Sequence, residues 1–322
     1  MPFKQNTFFN TTRITVITAV IAIAICLLAL AAWIFGIEIL KSFAHHWTIM
    51  KANTAIAVAA AALSVLLFGR RRKIAAVLFA LIALMIGVVT TAEYLFDWNA
   101  HIDNLLFIDK AASADQLPVR MSLATAIAIT ILSISFFFYT SSKTGMQRIA
   151  KIMASVSFFT GFVAFATYFY GVEELYLVYV FSSMSLPTAL GLMLVSCSIF
   201  FANPHVGILA DFHRNTYAAR LAFWNVITML VIFFSVSWLR MKGQDLGWYS
   251  TGFGIAIMIV IFTICIFYVV WRQTRILNSE EELKKELLKE LQEKETFTRG
   301  ILSSLISHVG VMDNTGTLIA VN

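Results

Sequence analysis

Side chains able to do chemistry are few, and they gather between long apolar runs. His45, His46 and Trp47 stand together ahead of one run, and Glu93, Asp97, His101 and Asp103 follow another. Histidines and carboxylates can ligate a divalent metal, and an outward histidine pair can also report pH or hold a haem or quinone headgroup. Adjacent histidines chelate one ion only where the backbone turns sharply, and an acidic loop reads most simply as a solvated one. The residues therefore assign neither a metal nor a cofactor, and they form no catalytic cluster. Cys26, Cys197 and Cys265 lie in three separate apolar runs, which marks them as small core residues and not as disulfide partners or a metal knuckle.

A second set of candidates comes from an internal repeat. An aromatic, any residue, an aromatic and then Gly or Asp recurs as Trp33 to Gly36, Tyr94 to Asp97 and Tyr168 to Gly171. Downstream of each comes Met, three residues, then Thr-Ala and an aliphatic: Met50 to Ile56, Met121 to Ile127 and Met184 to Leu190. Thr54, Thr125 and Thr188 are the aligned threonines, and Ser64, Ser135 and Ser198 align beyond them. The aromatic pair suits the interfacial belt of a membrane helix. Ser122 and Ser185 are placed to cap the following helices, and the Thr-Ala pair lets neighbouring helices approach closely. Read structurally, the motif is a helix cap multiplied by duplication. Read functionally, three like helix N-termini converge on one side and make a capped, weakly positive vestibule for a small ligand.

These residues need membrane-length elements to position them. Of 322 residues, 59% are hydrophobic and 13% charged, whereas a soluble domain carries about 25% charged residues. A spanning helix takes about 20 apolar residues, because every backbone amide must be satisfied internally. Eight stretches qualify: Ile14 to Phe35, Thr54 to Phe68, Ile74 to Ala92, Met121 to Tyr139, Ile152 to Tyr170, Ser185 to Ala202, Leu221 to Trp238 and Tyr249 to Trp271. The expected fold is an all-α membrane protein with about eight transmembrane helices. Three repeated hairpins cover residues 14–68, 74–139 and 152–202, and one extra pair covers 221–271.

The net charge of +6 comes from short basic clusters between apolar runs, which fits lipid headgroups and excludes a nucleic-acid partner. One set of loops holds Arg70 to Lys73, Lys143, Arg148, Lys151, Arg214 and Arg220 against the single acid Asp211. That side is cytoplasmic by the positive-inside rule, and both termini lie on it. Ala29-Leu30-Ala31 resembles a signal-peptide cleavage site, but the apolar stretch is too long and belongs to the repeat, so the helix is retained. None of the eight expected cores contains Asp, Glu, Lys, Arg or His, which is poor material for a pump or ion-coupled carrier.

After Trp271-Arg272 the sequence turns polar. Glu280 and Lys284, Glu281 and Lys285, and Glu290 and Lys294 stand four apart in the favourable order, beside the stripe Leu283, Leu287 and Leu291. Residues 272–296 read as a cytoplasmic signalling helix or coiled coil. Residues 297–322 read as a helix and two short strands about an Asn314-Thr315-Gly316 turn. The stretch from Ile306 to Asn322 resembles the opening of an α/β PAS domain, truncated after its second strand. His308 is followed by a strand and lacks the helical context of a phosphoacceptor.

The three Met-x-x-x-Thr-Ala hairpins, the stretch Glu93 to Phe107, and the PAS start after a charged linker together resemble the N-terminal multi-span sensor regions of PAS-containing sensor histidine kinases and diguanylate cyclases. The resemblance covers nearly the whole chain. It implies a bacterial inner-membrane homodimer, paired through the eighth helix and the linker, with a kinase or cyclase output domain farther along the same chain. It supplies no ligand and no catalytic residue.

Overall fold

The computed structural model describes residues 11–43, 47–100, 102, 120–170, 184–207, 210, 217–304, 310–312, 315 and 317–321. The chain divides into two compact units, Met1–Arg220 and Leu221–Asn322. This division falls ahead of the last helical pair, so that pair groups with the polar segment and not with the repeats.

The first unit contains α1 (Thr11–Phe35), α2 (Glu38–Ser42), α3 (Ala52–Gly69), α4 (Lys73–Leu95), α5 (Leu123–Tyr139), α6 (Thr144–Tyr170) and α7 (Leu186–Ala202). The hairpins expected from the repeat are α1/α3, α4/α5 and α6/α7. Each long helix packs against its neighbour in the order α1, α3, α4, α5, α6, α7, and α7 packs back on α1, closing a six-helix ring. The three helices that carry the Thr-Ala motif, α3, α5 and α7, also touch one another in all three pairings. The unit is therefore a pseudo-threefold array with the motif helices inside and α1, α4 and α6 outside.

The side chains explain this arrangement. Counting back from the first aromatic of each repeat, the outer helices bury the aligned sets Ala19, Ala80 and Ala154; Ala22, Ala83 and Ser157; Cys26, Gly87 and Gly161; and Ala29, Thr90 and Ala164. Their large side chains, such as Ile17, Leu27, Leu78 and Phe159, point outward and are exposed. Small residues inside and large aliphatics outside is the distribution expected where hydrocarbon is the solvent and close backbone approach holds helices together. A Cβ on Gly87 would lie 3.0 Å from the Thr130 backbone nitrogen, and one on Gly161 would lie 2.7 Å from the Ala189 carbonyl oxygen. The inner helices reverse the rule: Val58, Ile129 and Leu192 align and are fully buried, as are Val65, Phe136 and Ile199.

Buried hydroxyls stitch the ring. Ser157 donates to the Ala128 carbonyl at 2.9 Å, Ser135 to Ala150 at 2.7 Å, and Ser198 to Thr15 at 3.0 Å. The last of these bonds joins the third hairpin to the first. At the same end Lys151, on α6, is buried and donates to the Asn203 and Val206 carbonyls at 2.6 and 2.7 Å, holding the C-terminus of α7. It is a structural clasp and not the solvated loop cation that the sequence suggested.

Among the described residues, the second unit contains α8 (Tyr217–Asp245) from Leu221 onward, α9 (Thr251–Ser304), and the antiparallel strands β1 (Gly310–Met312) and β2 (Leu318–Val321), which pair with a bulge at Val311/Met312. The Phe233 and Phe262 rings meet at 4.3 Å, and Tyr249 donates to the Arg240 carbonyl at 2.9 Å across the α8–α9 turn. The sequence separates a spanning helix from a linker helix, whereas α9 runs unbroken for 54 residues, about 80 Å at 1.5 Å per residue. No glycine or proline interrupts residues 255–299, and ion pairs Glu281–Lys285, Glu290–Lys294 and Glu295–Arg299 support the charged half.

Among the described residues, six helices are long and apolar enough to cross a membrane: α1, α3, α4, α6, α8 and α9. The apolar helices α5 and α7 have 17 residues each.

Candidate functional site

The conserved geometry of the three hairpins is concentrated where α1, α4 and α6 end and α3, α5 and α7 begin. Trp33 Nε1 donates to the Met50 carbonyl at 2.8 Å, Tyr94 Oη to the Met121 carbonyl at 2.9 Å, and Tyr168 Oη to the Met184 carbonyl at 3.0 Å. All three methionines are buried. The first aromatic of each repeat thus uses its polar handle to latch the outer helix to the start of the inner one. The latch gives the Trp or Tyr at that position a defined acceptor inside the protein, which phenylalanine, having no donor, could not use. Replacing Tyr94 or Tyr168 by Phe strands a buried carbonyl and should cost about 1–3 kcal/mol each. Chemical unfolding of the detergent-solubilised protein measures this, and a loss no larger than that of an exposed Tyr→Phe control would refute the latch.

Just beyond the latch, Ser122 Oγ accepts from Thr125 N–H at 3.2 Å and Ser185 Oγ from Thr188 N–H at 3.3 Å. The hydroxyls of each pair also bond, Ser122 with Thr125 at 2.7 Å and Ser185 with Thr188 at 2.8 Å. In the first hairpin Lys51 replaces the capping serine, and Asn53 Oδ1 accepts from Thr54 N–H at 2.7 Å. Thr54, Thr125 and Thr188 are all buried. Their polar groups are engaged in local capping bonds, which is the structural side of the two readings of this motif.

The second hairpin departs from the other two. Glu93 lies in the last turn of α4, one residue before the latch tyrosine, and is 1% exposed. The sequence put it in an outer loop beyond the third span; the helix runs three residues farther, to Leu95, and draws the carboxylate onto the buried face. Arg120 Nε lies 3.5 Å from Glu93 Oε2, and Ala100 N–H donates to Glu93 Oε1 at 2.8 Å. The same guanidinium stands 5.4 Å from the Tyr94 ring centroid. A buried carboxylate, a guanidinium, the latch tyrosine and the Met121 carbonyl therefore form one connected polar cluster. At the Glu93 position the other hairpins carry Ala32 and Thr167, and at the Arg120 position they carry Ile49 and Ser183. Two opposite charges that depart together from a repeat are the sequence signal that would have paired them.

Of the other candidates named from the sequence about the outer loops, Asp97 and Trp47 fall among the described residues. Asp97 is exposed with φ 48°. Trp47 packs its ring 5.0 Å from that of Tyr168, joining the first hairpin to the third. His45, His46, His101 and Asp103 lie outside the described residues. Among the described residues no group of three or more His, Cys, Asp or Glu could hold a metal ion. Compared with family models, with curated proteins and with solved structures, the chain has no significant match to any of them.

Proposed function

We propose that the chain is the sensory input and signal-transmitting part of a membrane-bound signalling receptor, with a two-component histidine kinase as the output and a diguanylate cyclase as the second choice. In this reading all eight long helices span a bacterial inner membrane, with α5 and α7 at the short end of the spanning range. The basic turns and both termini face the cytoplasm. The strands β1 and β2 open a PAS domain, and two copies of the chain pair along α9. The stimulus acts at the latch end of the repeats, where the second hairpin carries its buried charges, or within the bundle.

The observation that carries this reading is α9: one helix begins as an apolar span at Thr251 and continues through a charged segment to Ser304 without a break. A continuous helix transmits rotation or translation from membrane to cytosol, and coupling of that kind requires an element whose equilibrium both ends bias. A transporter is the weaker reading, because the inner helices touch one another and present fully buried aliphatic layers.

Inserting four residues after Glu290 turns the downstream helix by about 40°, whereas inserting seven preserves the phase of a 3.5-residue seam. In the full-length receptor the four-residue insertion should lock or abolish regulated output and the seven-residue insertion should restore it. Equal, unaltered output from both would overturn signalling through α9.

A further inference from the structure

The turn between α3 and α4 presents four consecutive cations, Arg70, Arg71, Arg72 and Lys73, all exposed. None forms an ion pair among the described residues. Their backbone makes the choice of residues unexpected. Arg71 N–H donates to the Phe68 carbonyl and Arg72 N–H to the Leu67 carbonyl, each at 2.9 Å, the pair of bonds that closes a helix in a Schellman turn. The left-handed position of that turn, φ 62°, is occupied by Arg71. Glycine fills this position without strain, and a residue with a Cβ does so at a cost. The Arg71 side chain therefore contributes nothing to the turn that glycine would not improve, and its exposed guanidinium is free to meet a partner outside the protein.

The four charges and their apolar neighbour narrow the chemistry of such a partner. Ile74, next to the four cations, is 82% exposed, which fits a side chain set in hydrocarbon just below a charged headgroup layer. A general orientation signal requires only an excess of Lys and Arg, and Lys143 in the α5–α6 turn with Arg148 near the start of α6 supplies this at the same end without a run of cations. We propose that Arg70 to Lys73 form a docking site for the phosphate groups of anionic phospholipids, with Arg71 inserted in the turn for that purpose. Each cation beside an anionic leaflet changes partition by about fivefold, so the loss of one should be measurable.

The test uses the full chain in vesicles of phosphatidylcholine containing one quarter phosphatidylglycerol, extracted gently and assayed by mass spectrometry for retained lipid. Wild type should retain phosphatidylglycerol in excess of its share. Arg71→Gly should lower that excess by about fivefold while its thermal midpoint in detergent stays equal or rises. Unchanged retention in Arg71→Gly, no excess in wild type, or a fall in thermal midpoint accompanying the lipid loss would each overturn the proposal. Displacement of the retained lipid by inorganic phosphate at constant ionic strength would also overturn it, by assigning the turn to a soluble anion.

Discussion

Glu93→Ala is expected to destabilise the first unit by about 3–5 kcal/mol, the cost of leaving one half of a buried ion pair without the other. The carboxylate is 1% exposed and faces Arg120 at 3.5 Å, so water cannot replace the missing charge as it would on a surface. Arg120→Ala should cost a similar amount, because the stranded carboxylate is the more deeply buried of the two. The remedy is present in the chain itself. Copying the third hairpin, Glu93→Thr with Arg120→Ser, removes both charges and installs the residues found at Thr167 and Ser183. That double variant should recover most of the loss, as neutral replacements of whole buried pairs commonly do. A double-mutant cycle by chemical unfolding gives the coupling energy directly. Single variants that lose less than about 1 kcal/mol would mean that the pair behaves as a surface contact. Because the double variant is expected to fold, it is also the protein in which to ask whether the charges are needed for a stimulus response.

Gly161→Leu is expected to prevent folding of the first unit. A Cβ at that site already comes 2.7 Å from the Ala189 carbonyl oxygen and 3.3 Å from Leu192 Cβ. The first contact is to backbone, so α6 must move off α7 before even a methyl fits. Gly161→Ala should therefore cost about 1–3 kcal/mol, and the branched side chain should exceed what the ring can absorb. Gly69 at the end of α3 provides the control, since nothing lies within 4 Å of its added Cβ. Alanine there should be neutral or stabilising by about 0.5–1 kcal/mol. Fluorescence-detected size-exclusion chromatography after heating ranks all three variants. A monodisperse Gly161→Leu protein with a wild-type midpoint would contradict the close approach of α6 and α7.

Sequence and structure agree where the signal is local. The repeat, the apolar helices and the serine caps at Ser122 and Ser185 are written in neighbouring residues, and each appears at the expected place. What could not be read was partnership. Periodicity shows which face of α4 is small, but not that this face meets Ala126 and Thr130. The latch spans 17 residues in the first hairpin and 27 in the second, so the rings of Trp33 and Tyr94 look like belt residues until their acceptors are known. The position of Glu93 is ambiguous in the sequence for a related reason. A charge near the end of an apolar run is compatible with one more helical turn or with a loop, and only the arginine brought opposite it decides between them. The unbroken course of α9 was hidden because hydropathy changes abruptly at Trp271-Arg272 while helix propensity does not.

The bond from Ser198 back to Thr15 has a consequence for how the first unit comes apart. A linear array of repeats has two end members, which fray first and need protective caps. In a closed array every hairpin is an interior member with two neighbours. Withdrawing one exposes two raw faces at once, leaving no partial assembly that keeps most of its contacts. Such a unit should melt as a single block, with all three hairpins lost together at one temperature.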